Sequence, residues 1–355
     1  MIALSLKYHR MQLPREVIVG NGIIERVTEV CRRLGYTESA LIVAGSKTNK
    51  IVGKKVRDLL EGEAVEVNTF LVESATVKEV QDIEEKIMAL KPQVVFGVGG
   101  GTKIDVAKLS SAYQEVPFIS IPTTASHDGI ASPLSSVKGF EKPYSIMAQA
   151  PIAIIADTSI IMQAPWRYVI SGCGDVIAKF TSVKDWQLAH EDKKEYYGEY
   201  AASLALMSAK LVMKNAELIK TQEEEGLRVL LEALISCGVS MSIAGSSRPC
   251  SGSEHLFSHA LDIIRRNHAM HGEQCGVGTV MMAYLHNADW KYTRETLKML
   301  GAPTNADELG VEKEDVIKAL ELSSTIRLER YTILNKLNLN YDDYERLART
   351  TNTIS

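Results

Sequence analysis

Val94-Val95-Phe96-Gly97-Val98-Gly99-Gly100-Gly101-Thr102-Lys103-Ile104-Asp105-Val106-Ala107-Lys108 reads as an apolar strand that turns through three glycines into a helix beginning near Thr102. Glycine lets a backbone approach a pyrophosphate closely, and the free amides and dipole of the following helix attract the anion. The spacing is neither G-x-G-x-x-G nor a Walker sequence, which would end in Gly-Lys-Ser/Thr. The stretch is therefore a phosphate-binding candidate, and a bare tight turn is its plainer reading.

Working outward, residues 41–44, 65–72, 93–98, 117–121 and 152–156 are short runs rich in branched residues. Several are apolar nearly throughout, as expected when helices cover both faces of a parallel sheet. Between them, 23–34, 48–60 and 76–90 are amphipathic, the last opening with Thr76 and Glu79 as a capping box. Strand alternating with helix predicts a doubly wound α/β domain. From about residue 158 strand-like alternation stops, and windows 200–220, 223–243, 277–288 and 313–322 keep helical spacing. The boundary falls at 157–165, where Ala164-Pro165 interrupts a helix. A cleft between an α/β half and a helical half is a common meeting place for cofactor and substrate.

Composition excludes several classes. With 355 residues, 45% hydrophobic and 24% charged, the chain can bury a full core and is not disordered. Its net charge of -4 and the lack of any long basic run exclude a nucleic-acid-binding surface. Five scattered cysteines without a C-x-x-C pair predict reduced thiols and a cytoplasmic location. Residues 1–10 lack the core of a signal peptide, and no apolar stretch approaches a membrane span, so no stable membrane insertion is expected.

Two further segments carry candidate chemistry. Residues 121–133 follow a strand, where ligands bind an open α/β sheet, and offer Thr123, Thr124, Ser126, Ser132 and the acid Asp128 to a hydroxylated ligand. A polar loop would read the same way. Half of the eight histidines, His255, His259, His268 and His271, fall in the second half within one short segment. His255 and His259 share a helix face. Grouped imidazoles suit a metal, although a lone i,i+4 pair is more often core or surface. The absence of glutamate after His255 argues against metalloprotease chemistry. Asp175, in Ser171-Gly172-Cys173-Gly174-Asp175, is expected at a helix start, where an N-cap role competes with a metal role.

Taken in this order, the Gly99 triplet, 122–132, Ala164-Pro165-Trp166-Arg167 through Asp175, 253–260 and His271-Gly272-Glu273 resemble the superfamily of glycerol dehydrogenase, iron-type alcohol dehydrogenase and 3-dehydroquinate synthase. The resemblance covers nearly the whole chain. Residues 123–129 and 251–259 point to its glycerol-1-phosphate branch.

The resemblance implies a dehydroquinate synthase-like fold, with a Rossmann-like NAD(P)-binding domain over 1–160 and an all-helical metal- and substrate-binding domain over 161–355. It implies Asp175, His255 and His271 as ligands of a Zn2+ ion with a fourth position left for substrate. Iron-type relatives carry a further histidine where this chain has Lys179, which favours zinc. Gly99, Gly100, Gly101, Thr102, Lys103 and Asp105 match the pyrophosphate loop, and Thr123, Thr124, Ser126 and Ser132 match further contacts to NAD(H) or NADP(H). Asp128 and His259 match positions that contact substrate hydroxyls. His268 falls on no ligand position. The implied reaction is reduction of dihydroxyacetone phosphate to sn-glycerol 1-phosphate, the first step toward archaeal-type lipid backbones, by a homo-oligomer. Arg248, Arg265 and Arg266 are nearby donors for a substrate phosphate, with surface ion pairing as the plainer reading. Action on unphosphorylated glycerol, a synthase-type lyase, and a metal-binding protein without turnover remain the alternatives.

Overall fold

The computed structural model describes residues 9, 11–139, 145–265 and 269–355. Six parallel strands form one sheet in the order β1-β8-β5-β4-β2-β3. They are β1 (Glu16–Gly20), β2 (Ser39–Ala44), β3 (Glu66–Leu71), β4 (Val94–Gly99), β5 (Phe118–Pro122) and β8 (Ala153–Asp157). Two short strands, β6 (Leu134–Ser135) and β7 (Ile146–Met147), pair antiparallel apart from it. The five strand runs read from sequence match β2, β3, β4, β5 and β8. The sixth, β1, was not read from sequence although Val17-Ile18-Val19 is a branched apolar run; it is an edge strand whose Val17 is 43% exposed.

β4 is central, paired with β2 on one side and β5 on the other. Its six residues are buried throughout, which accounts for their continuous apolar character. One face of the sheet packs Ile42, Phe96, Ile119 and Ile155 against the helices around Val30 and Val56. The opposite face packs Leu41, Val95, Phe118 and Ile154 into a cluster that runs on into Val176, Leu230 and Val280 of the helical half. The two halves therefore share one continuous core.

After β8, every regular element among the described residues is helical. The longest helix is Arg167–Lys193, and it packs against Glu199–Lys214 and His271–Leu285. The window 200–220 breaks at Asn215 into two helices. Helix Glu224–Ala244 is long and apolar enough to cross a bilayer, contrary to the sequence expectation, but 72% of its apolar window is buried in the protein. That is the pattern of a core helix.

Candidate active site

Asp175 lies well inside helix Arg167–Lys193, not at a helix start as expected. The preceding glycines suggested a turn, yet their function is tertiary. A Cβ on Gly172 would strike the Ala125 carbonyl, and one on Gly174 would strike the Gly272 carbonyl. Bare backbone lets this helix touch both the β5 loop and the start of helix His271–Leu285. Arg167 reinforces the second contact, donating Nε and Nη2 to the two carboxylate oxygens of Glu273 at 2.6 and 2.7 Å. A bidentate guanidinium–carboxylate pair fixes orientation as well as distance.

Those approaches place Asp175 opposite two histidines. His255, in the first turn of helix Ser253–Ile264, points Nε2 at Asp175 Oδ1, 3.4 Å away. Its Nδ1 faces Glu254 Oε1 at 2.8 Å. His271 opens the next helix, and its Nδ1 lies 3.0 Å from the Ser258 hydroxyl. The two rings sit 5.1 Å apart, edge to face. In each ring Nδ1 is engaged from outside, which directs Nε2 inward; metal-binding imidazoles are held in this way. Cys275, one turn beyond His271, brings its Sγ within 3.6 Å of His271 Nε2. Ligand atoms of His255, His271 and Cys275 all lie within 4.8 Å of one another. Two imidazoles with a carboxylate and a thiol at hand are a donor set suited to a zinc-type ion. His268 and Arg266 lie outside the described residues.

Lys179 is the residue whose role sequence reasoning understated. Fully buried, its Nζ donates to Asp175 Oδ1 at 2.7 Å and to Asp128 Oδ2 at 2.8 Å. The Asp128 backbone N–H also donates to Asp175 Oδ2 at 2.9 Å. Burial would raise the Asp175 carboxyl, but the Lys179 ammonium and His255 outweigh it and hold it well below the usual carboxylate range. Asp128 and Asp175 likewise overcome the burial that would lower Lys179. The i,i+4 spacing of Asp175 and Lys179 was the available signal.

The Asp128 loop is braced from below. Lys108, also fully buried, donates to the carbonyls of Gly129 at 2.8 Å and Leu134 at 2.7 Å. His127 Nδ1 accepts from Gly129 N at 3.0 Å. His259 stacks on His271 at 6.0 Å between centroids, so it borders the same space.

The glycine turn leaves β4 at Gly99, whose φ of 156° is reached readily by glycine alone. Gly100 precedes the helix without a side-chain cap, and its carbonyl accepts from the Lys103 and Ile104 amides at 3.0 and 3.2 Å. A Cβ on Gly101 would strike the His127 ring, and one on Gly100 would meet Thr124 Oγ1 at 3.2 Å. Gly99, Gly100, Gly101 and Thr124 thus form one rim, with exposed Thr102 on the helix start. Thr123 N donates to Gly99 O. Lys103 Nζ is tied to the Glu73 carbonyl at 2.8 Å. Three other expected contacts turn inward. Asp105 is buried, accepting from Ser136 N at 3.2 Å with Lys108 3.6 Å away. Ser132 is buried toward the Leu134 carbonyl, and Ser126 is 8% exposed, its backbone carbonyl accepting from Ser171 Oγ at 3.1 Å.

The family model for iron-containing alcohol dehydrogenase matches residues 18–165. Glycerol-1-phosphate dehydrogenase (NAD(P)+) of Thermococcus kodakarensis is 53% identical over 349 residues, 98% of this chain and 99% of its own. The chain belongs to the glycerol-1-phosphate dehydrogenase family. The enzyme of the same name from Methanosarcina mazei is 52% identical, covering 97% of each chain. Among solved structures, glycerol dehydrogenase from Schizosaccharomyces pombe superposes with a TM-score of 0.79 at 20% identity, covering 98% of this chain and 91% of that one. A probable glycerol dehydrogenase from Sinorhizobium meliloti gives 0.76 at 18% identity, over 98% and 99%. These likenesses establish the Rossmann-like sheet with a helical second half as the glycerol dehydrogenase fold.

Proposed function

We propose that this chain reduces the C2 ketone of dihydroxyacetone phosphate to sn-glycerol 1-phosphate with NADH or NADPH, using a zinc ion held by Asp175, His255 and His271. The observation that carries the reading is the pair of facing imidazoles, His255 held through Nδ1 by Glu254 with Nε2 3.4 Å from Asp175 Oδ1, and His271 held through Nδ1 by Ser258. It is joined by the names of relatives about half identical over nearly the full chain.

A zinc ion there would supply Lewis-acid polarisation of the ketone, and the nicotinamide supplies the hydride. The protein's own work is positional. The amides of the Gly99 turn hold the pyrophosphate, with Thr102, Lys103, Thr123 and Thr124 along the same edge. Asp128, fixed by Lys179 and by the Lys108-braced loop, accepts hydrogen bonds from substrate hydroxyls and orients C2. His259 is kept neutral chiefly by burial, which in the metal-free protein pushes it down to about 3. A neutral imidazole both accepts and donates hydrogen bonds, which suits contact with a hydroxyl. Asp105, Ser126 and Ser132 belong to the same reading through the loops they support. We assign residues 1–160 to the cofactor and 161–355 to metal and substrate, and place the enzyme in the cytoplasm as a homo-oligomer that feeds lipid-backbone synthesis.

Oxidation of NADH and NADPH is to be followed with dihydroxyacetone phosphate, dihydroxyacetone and glyceraldehyde phosphate. Turnover of the first well above the others is expected. Turnover of the unphosphorylated ketone alone would remove the substrate assignment.

A further inference from the structure

His127 stands between the glycine turn and the Asp128 loop, and its one ring fills the side-chain space of two glycines. A Cβ on Gly101 would overlap its Nε2, and a Cβ on Gly129 would overlap its Cε1 and Nδ1. Gly101 is the first residue of helix Gly101–Tyr113, and Gly129 directly follows Asp128. The half-buried imidazole therefore joins the turn assigned to the cofactor with the loop assigned to the substrate.

Its two nitrogens have different tasks. Nδ1 accepts from the Gly129 N–H at 3.0 Å, so it carries no proton and the ring's hydrogen is on Nε2. The Gly129 carbonyl is taken by Lys108 Nζ at 2.8 Å, which leaves the peptide after Asp128 held from both sides. Nε2, by contrast, makes no hydrogen bond among the described residues. Asp105, one turn further along the helix face of Gly101, accepts instead from Ser136 N at 3.2 Å.

The location of Nε2 shows what this unused donor faces. In a helix the Cα–Cβ bond tilts toward the N-terminus, so an atom in the Cβ space of Gly101 lies at the amino end of the helix. There the Lys103 and Ile104 amides serve the Gly100 carbonyl, whereas the Gly101 and Thr102 N–H groups have no hydrogen-bond partner among the described residues. Lys103 Nζ is drawn away to the Glu73 carbonyl at 2.8 Å. An imidazole N–H beside two free amides is a donor set for an anion.

We infer that His127 donates from Nε2 to the pyrophosphate of the bound cofactor while its Nδ1 holds the Gly129 amide, so that one ring sets Asp128 relative to the nicotinamide nucleotide. The inference rests on the proposed seating of NADH or NADPH at the Gly99 turn and names the residue that ties that seat to substrate positioning. Orientation of the ketone against the cofactor is what such a link governs.

The test separates the two nitrogens in the full-length, zinc-loaded enzyme. His127→Asn keeps an acceptor at the Nδ1 position and removes Nε2, whereas His127→Gln keeps a donor at the reach of Nε2 and removes the Nδ1 acceptor. Affinity for whichever of NADH and NADPH wild type binds more tightly is read by nicotinamide fluorescence, with no ketone present. It should fall about tenfold in His127→Asn and His127→Ala and stay near wild type in His127→Gln, since a hydrogen bond to a charged group is lost only in the first two. The KM for dihydroxyacetone phosphate at saturating cofactor should rise about fivefold in His127→Gln and His127→Ala and little in His127→Asn. Equal losses in His127→Asn and His127→Gln on both readings would make the ring a spacer between two glycines and overturn the inference. Wild-type cofactor affinity in His127→Asn would overturn it too. If wild type reduces no dihydroxyacetone phosphate, the proposed reaction fails and the cofactor affinities alone decide: a loss in His127→Asn that His127→Gln does not share retains the inference, and equal affinities end it. Should His127→Ala not fold, the other two variants carry the comparison.

Discussion

Replacing Lys179 with methionine keeps an unbranched side chain and removes the charge that holds two carboxylates. In the native protein the ammonium donates to Asp175 Oδ1 at 2.7 Å and to Asp128 Oδ2 at 2.8 Å, and neither the lysine nor Asp175 is more than 1% exposed. Each hydrogen bond to a charged group contributes about 1.5–3 kcal/mol. Two such bonds give about 3–6 kcal/mol, in line with the roughly 3–5 kcal/mol lost when one partner of a buried pair is removed. We therefore expect Lys179→Met to destabilise the metal-free protein by about 4 kcal/mol. The loss should shrink once zinc is added, because a divalent cation beside Asp175 restores positive charge where the ammonium was, and it binds only the folded state. Urea unfolding of stripped and zinc-loaded protein measures both quantities. A loss under about 1 kcal/mol, the range of exposed ion pairs, would show that the lysine does not anchor the two acids. An equal loss with and without zinc would show that the ion does not sit next to them.

Three further outcomes are expected. Asp175→Ala should abolish turnover together with bound zinc in elemental analysis, and a full zinc equivalent in the folded variant would exclude it as a ligand. Cys275→Val should keep that equivalent, since the thiol flanks the Asp175, His255 and His271 set; loss of the ion would instead make Cys275 a ligand. Gly272→Ala should destabilise by about 1–3 kcal/mol or more by denaturant titration, because its Cβ would be driven into the Ser171 carbonyl; near-neutral stability would mean that the two helices are free to part.

Strands β2, β4, β5 and β8 were legible because buried parallel strands leave unbroken apolar runs, and the Gly99 turn because its backbone demand is written in glycines. β1 was missed although Val17-Ile18-Val19 carries a branched apolar run, because no helical stretch precedes it to mark it as part of the strand–helix alternation. Helix Arg167–Lys193 was obscured by Gly172 and Gly174, which serve contacts with backbone distant in sequence and say nothing of helix locally. The same limit applies to the site. Asp175 with Lys179, and His271 with Cys275, are i,i+4 pairs that spacing could have joined. The link from Asp175 to Asp128, through both Lys179 and a backbone amide, exists only once helix and loop are packed.

The proposed hydride transfer to C2 of a phosphorylated triose fixes the hand of the product. Chiral analysis of the glycerol phosphate formed by the zinc-loaded enzyme from dihydroxyacetone phosphate and NADH or NADPH tests it most directly. Accumulation of sn-glycerol 1-phosphate alone is expected. Formation of sn-glycerol 3-phosphate, a racemate, or no glycerol phosphate would contradict it.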